Sequence, residues 1–208
     1  MAGGMEVTLA PSLLNADGSI KVGQAHGAMT AAAREGRLLH GVSASGGIAL
    51  IVPAAAGGHP TLINPRGSGV VAAVRRLTLS WVSGANAPGA VEWALTNPAG
   101  AQAATGASSP ILTATAVALT NAVTGGPVKT KLIWSPTTNT FTAAPVFHRP
   151  AGISLFTGIS TTAVAPFTLD MRYDDFFVGD DTAISLCFQT TTTTALFQVL
   201  GVVEEIKG

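Results

Sequence analysis

Alternation of apolar and polar side chains, two residues per repeat, runs through most of this chain beyond Gly47. That period marks strands with one buried face. Residues 70–82 carry it most plainly: Leu77, Leu79 and Trp81 share one face, and Arg76, Thr78 and Ser80 the other. After a turn over residues 84–89, residues 90–95 repeat it through Val91, Trp93 and Leu95 and are expected to pair back on the strand before them. Further on, Phe167, Leu169 and Met171 alternate with Thr168, Asp170 and Arg172, and Ile184, Leu186 and Phe188 with Ser185, Cys187 and Gln189. Residues 196–206 form a long final strand. Apolar runs at 48–52, 61–64, 111–119, 129–134 and 141–148 predict shorter ones, the first two stopped by Pro53 and Pro65. Asp174-Asp175 and Gly179-Asp180-Asp181 are turn chemistry. The threonine run, residues 190–194, is either a hairpin connection or a strand continuation.

The first 45 residues break this pattern. Pro11, the Asn15-Ala16-Asp17-Gly18 turn, Gly23, Gly27, Gly36 and Gly41 punctuate them, and only residues 25–35 can form a short helix, without a clear apolar stripe. The expectation is two parts: an N-terminal arm, residues 1–45, mostly irregular and ordered on a partner, and an all-β domain, residues 46–208. About eight strands with few helices fit a β-sandwich, jelly-roll-like; the Cys…Trp…Cys pattern of an immunoglobulin sandwich is missing. Residues 98–127, rich in Ala, Ser, Thr and Gly, read either as a surface loop or as a segment packed against a symmetry mate.

Charge changes the picture from fold to assembly. Only 11% of residues are charged, against about 25% in an ordinary soluble domain. Between Arg76 and Lys129 the sole charged side chain is Glu92, and between Asp181 and Glu204 there is none. A free monomer covers itself with Lys and Glu for solubility; a chain that does not is expected to hide surface against other chains. The formal net charge of zero offers no basic excess for nucleic acid, and Arg75-Arg76 is too small a basic patch for that purpose. A hydrophobic fraction of 47% and a mean hydropathy of +0.43 argue against disorder throughout. Residues 182–203, the best candidate for a membrane span, are interrupted by threonines and glutamines and alternate like a strand. The opening MAGGMEVTL lacks the pattern of a secretory signal. Cys187 is the only cysteine, which rules out an intrachain disulfide and a cysteine-based zinc site and suits a reducing cytoplasm.

Candidate chemistry is sparse. His26, His40, His59 and His148 lack metal-ligand spacing and read as surface-loop residues. Asp174, Asp175, Asp180 and Asp181 form the one carboxylate cluster; calcium or acid/base chemistry would suit it, but turn formation is the simpler reading. Cys187 has no basic or histidine neighbour along its strand and reads as a small buried or half-buried side chain rather than a nucleophile. Trp81, Trp93 and Trp134 read as core residues. The glycine pairs make no phosphate-binding motif, and no G-x-S-x-G elbow is present. The expectation is no enzyme, no catalytic, metal or cofactor site and no cofactor.

Residues 60–69 (PTLINPRGSG) followed by residues 70–84 (VVAAVRRLTLSWVSG) resemble a family of tailed-bacteriophage virion proteins. In these an L-x-N-P-x-G-S-G turn precedes a long strand, and a charge-poor β-domain ends in an acidic strand, here Val202-Val203-Glu204-Glu205-Ile206. The segments Gly36-Arg37-Leu38-Leu39-His40 and Gly47-Ile48 are similar too. The resemblance covers about half of the chain and implies a structural protein of the phage particle. Together with the low charge it leads to a specific expectation: a capsid decoration (cement) protein, a homotrimer on the outer capsid surface of the virion, synthesised in the host cytoplasm. Its partner would be the major capsid protein, with no nucleic acid and no membrane. The alternative is a host-recognition module (tail fibre, spike or head fibre) that binds surface glycan, with Trp134, Tyr173 and Asp174 as the residues to inspect. A glycan-degrading or metal-dependent enzyme built on the aspartates is the third reading.

Overall fold

The computed structural model describes residues 25–43, 45–84, 89–96, 111–114, 119–126, 128, 130–136, 138–141, 143–155, 168–190 and 195–207. In chain order these form helix α1 (Ala25–Arg34) and strands β1 (Leu38–Val42), β2 (Ile48–Ala49), β3 (Ala56–Gly58), β4 (Thr61–Asn64), β5 (Val70–Ser83), β6 (Gly89–Thr96), β7 (Ile111–Ala114), β8 (Thr120–Asn121), β9 (Ile133–Ser135), β10 (Thr138–Phe141), β11 (Val146–Leu155), β12 (Thr168–Arg172), β13 (Phe177–Val178), β14 (Thr182–Phe188) and β15 (Leu196–Lys207). Two antiparallel sheets dominate. The front sheet runs β12-β5-β15-β1-β8, with β13 and β2 added to β5 and β15; the back sheet runs β11-β6-β14-β4-β9.

Among the principal strands the pairing is nested. The first, β1, pairs with the last, β15; inside them β4 pairs with β14, then β5 with β12, and innermost β6 with β11. A long hairpin rolled over on itself gives this order, and it is the jelly-roll arrangement of a β-sandwich, as the alternation predicts. The core lies between the sheets. Leu39, Leu77, Leu79, Val199 and Val203 from the front meet Leu62, Val91, Trp93, Ile184, Leu186 and Phe188 from the back.

The expected β5–β6 hairpin is not there. β6 pairs with β11 and β14 in the opposite sheet. Each strand carries its own large apolar face, and facing sheets bury Leu77 and Leu79 of β5 and Val91 and Trp93 of β6 in one core. The run at 141–148 is likewise two strands: β10 ends at Phe141, and β11 begins at Val146 in a different sheet. Of the described part of the stretch at 129–134 (residues 130–134), strand begins only at Ile133, in β9, and of 48–52 only Ile48–Ala49 is strand. Residues 115–118 and 191–194 lie outside the described residues.

β5 would fail a strict period of two, because Val74 and Leu77 both belong to the core cluster. The register against β15 shifts between Val202 and Val203, which face Arg76 and Val74. Arg75 is thus the extra residue of a β-bulge. The bulge turns both Arg75 and Arg76 to the outer face, and Arg75 meets Glu204 while Arg76 meets Asp170.

Trp134 fixes the distance between the sheets. It is 1% exposed and reaches from β9 of the back sheet to the paired Gly41 and Gly201 of β1 and β15. A Cβ on Gly41 would stand 2.5 Å from the Trp134 ring, so only glycine fits. The indole Nε1 donates to the Val42 carbonyl at 3.1 Å.

Each sheet has a further layer outside it. Ala32 and Ala33 of α1 pack on Leu38 and Val202 on the outer face of the front sheet; alanines let the helix approach closely. The helix ends with Gly36 at φ 76°, where Gly36 N–H donates to Ala33 O and Arg37 N–H to Ala32 O, a Schellman cap. The stretch 25–42 is therefore helix, turn and paired strand rather than irregular arm; residues 1–24 of the expected arm lie outside the described residues. On the outer face of the back sheet sits a third sheet, β3-β10-β7. Its Phe141 packs on Ile63, Ala183 and Ile133. This cover explains why Ser185 and Cys187 of β14 are as buried as their apolar neighbours.

Candidate functional site

The aspartate cluster divides into structural roles. Asp180 accepts from Gly67 N and Ser68 N, both at 3.0 Å, and from Ser68 Oγ at 2.9 Å. Gly67 has φ 72°, so the turn presents two successive N–H groups to one carboxylate, an anion-binding concavity. Arg66 donates to Asp181 at 3.0 and 2.6 Å. Asn64 closes the turn by donating to the carbonyls of Val70 (2.8 Å) and Val178 (3.1 Å). The N-P-R-G-S-G motif is thus a clamp between the start of β5 and the β13–β14 turn. Asp175 pairs with Arg149 at 3.3 Å, and Asp174 is exposed. Among the described residues no three His, Cys, Asp or Glu side chains converge on a metal-sized site.

These hydrogen bonds from Gly67 and Ser68 hold the Asp180 carboxyl below its ordinary range, and the Arg76 guanidinium does the same to Asp170. A depressed carboxyl contributes stability that is present above its ordinary value and lost as pH falls through the lowered one. Asp180→Asn is expected to flatten, without abolishing, the fall in thermal midpoint between about pH 5 and pH 2, since Asp170 remains. An unchanged acid profile in Asp180→Asn would remove the clamp from this account.

Two histidines depart from the surface-loop expectation. His40 is half-buried on β1, where burial and then Arg76 push its pKa down. His59 is fully buried, with Nδ1 3.5 Å from Cys187 Sγ. The sequence hid this pair because its members are 128 positions apart. Burial lowers the His59 pKa and pushes the Cys187 thiol up to about 12. Both groups are neutral near pH 7, and a buried thiol without a thiolate is an inert side chain rather than a nucleophile. His148 is exposed on β11, and His26 lies in α1.

Of the tryptophans, Trp93 and Trp134 are in the core and Trp81 is half-buried. Tyr173 is buried as well. Trp93 Nε1 donates to its hydroxyl at 3.1 Å, and that hydroxyl donates to Ala151 O at 2.7 Å, which ties the open flank of the sandwich. Trp134 and Tyr173 therefore offer no ring to a sugar. The large exposed aromatic side chains among the described residues are Phe147 and Phe177.

What the surface does present is apolar. β11 is the edge of the back sheet, and its Val146 and Phe147 are 70% and 43% exposed. With Leu95, Ala143 and Ala144 they line a groove of about 440 Å³. Reading 141–148 as one strand concealed this edge; the break at Pro145 was the available signal. Ionic side chains pair with one another along the surface instead. Arg37, Arg66, Arg75, Arg76 and Arg149, five of the 11 basic residues, all lie in intramolecular ion pairs. In comparisons with known proteins, no family model, no curated protein and no solved structure matches the chain.

Proposed function

We propose that the chain is a structural subunit of a tailed-bacteriophage particle: a capsid decoration protein that clusters as a homotrimer on the mature head and bridges neighbouring major capsid subunits. The observation that carries this reading is the use of charge. In a chain with so few ionic groups, five arginines are taken up by ion pairs to carboxylates of the same chain, while Val42, Val82, Val123, Val128, Val146, Phe147 and Phe177 are exposed. Such a surface suits burial against other chains better than life as a free monomer. The phage-like turn and acidic last strand support the same class. The mechanism is adhesive. Internal pressure pushes a DNA-filled shell outward, and a protein that binds only the expanded lattice stabilises it by mass action. The glycan-recognition alternative loses its named rings to the core.

The attachment is assigned to the N-terminal segment. Its test must spare α1 and β1, because β1 is paired on both sides, with β15 and β8. Removal of residues 1–24 is expected to leave the circular dichroism spectrum and oligomer intact and to abolish co-sedimentation with expanded capsids that lack the protein. Undiminished binding by the truncated chain would overturn the assignment.

A further inference from the structure

The contact between the back sheet and its three-stranded cover differs from the main core. It is a small polar seam. Thr61 Oγ1 lies 2.9 Å from Ser185 Oγ and donates to His59 O at 2.9 Å. From the cover, Asn139 Nδ2 donates to His59 O at 2.6 Å and approaches Thr61 Oγ1 at 3.1 Å. The cover's apolar anchor is Phe141, whose ring stands 5.9 Å from the His59 ring and whose N–H donates to Ala55 O at 2.7 Å. His59 also sits on the short link between β3 of the cover and β4 of the back sheet. It is therefore both the hinge and the filling of the seam.

We propose that the sheet β3-β10-β7 is a detachable cover, and that protonation of His59 in mild acid opens it while the sandwich stays folded. The groups around the ring cannot hold an imidazolium. Cys187 of β14 is the titratable neighbour, and it is a neutral thiol. Against the ring stand Phe141 of β10 at 5.9 Å and Gly57 of β3, where a Cβ would lie 3.4 Å from Nε2, while the Thr61 hydroxyl and the Asn139 amide donate to the His59 backbone carbonyl and not to the ring. The Ala54 backbone is the group that favours the charged form; it is outweighed by burial, and among the described residues no charged side chain acts on the ring. The lowered pKa means that the closed form excludes a proton the open form binds. Closure is therefore complete above the ordinary histidine value and weakens as pH falls below it.

Cys187 is a built-in reporter, as the one cysteine of the chain, fully buried beneath the cover. The experiment is labelling of the full chain with dithiodipyridine, each rate divided by that of the denatured chain at the same pH. Normalised labelling is expected to rise about 30-fold from pH 7.5 to pH 5.0, as for a histidine titrating near 6.5 only when open, with tryptophan emission unchanged. His59→Gln should remove the rise. Phe141→Ala should speed labelling at both pH values and keep the ratio. A flat wild-type profile, a rise retained in His59→Gln, or labelling that follows a shift in tryptophan emission would overturn the proposal. So would Phe141→Ala labelling no faster than wild type, a result that stands whether or not His59→Gln folds.

Discussion

Gly41→Ala is expected to destabilise the protein by about 1–3 kcal/mol, the cost of forcing an extra methyl into a filled core, and Trp134→Ala by about 3–5 kcal/mol. Both follow from one contact. The indole of Trp134 lies across the Gly41–Gly201 pair, and the missing Cβ at position 41 is the space its ring occupies. Alanine there must push the ring, and the ring cannot retreat, because its other side is core and its Nε1 is bonded to Val42 O. Trp134→Ala removes the ring and leaves a cavity between the sheets. The two changes should not add: in the Trp134→Ala background the methyl at position 41 enters free space, so its cost should fall close to zero. Urea unfolding of the two single variants and the double variant measures the coupling. Additive losses would mean that Trp134 does not set the sheet spacing.

The second large effect is expected at Glu204. Its carboxylate receives Arg75 at 2.6 Å and Arg37 at 3.2 Å, from strand β5 on one side and from the residue leading into β1 on the other. The Glu204 side chain is 15% exposed and the arginines 23% and 29%. Glu204→Ala takes the carboxylate from Arg75 in a partly covered site, while Arg37 keeps Glu35 at 2.7 Å and the Glu205 carbonyl at 3.2 Å. A fully buried pair broken this way costs about 3–5 kcal/mol, and solvent access here reduces the expectation to about 1–3 kcal/mol. Glu204→Gln, which keeps an acceptor, should cost less than Glu204→Ala. Added salt should narrow the gap between wild type and variant. Equal stability of Glu204→Ala and wild type would show that Arg75 is satisfied by water, and would remove this ion pair from the interactions that hold β5 and β15.

The jelly-roll-like sandwich was legible because each sheet has one face in a common core, and the alternation at Leu77-Leu79, Val91-Trp93 and Ile184-Leu186-Phe188 is the direct trace of that burial. What alternation does not encode is which strand pairs with which. β5 and β6 looked like a hairpin because each pattern is satisfied equally well in one sheet or in two facing ones. The bulge at Arg75 broke the period locally, so the first half of β5 showed no face. Alternation puts Ser185 and Cys187 on the face of β14 turned away from the main core; Cys187 read as buried or half-buried all the same, whereas the burial of Ser185 beneath the cover left no trace in the pattern. The aspartate turns were readable, since Gly179-Asp180-Asp181 is turn chemistry wherever it occurs; their partners Arg66, Gly67 and Ser68, more than a hundred positions away, were not. The His59–Cys187 contact was hidden for the same reason.

The measurement that tests the central claim most directly is the rupture temperature of DNA-filled heads, followed by release of their DNA, with and without the purified protein. A decoration protein should raise that temperature, saturate at a fixed ratio to the major capsid protein, and occupy regular positions at local threefold axes of the shell. An unchanged rupture temperature at saturating protein, with no ordered density on the shell, would contradict the account.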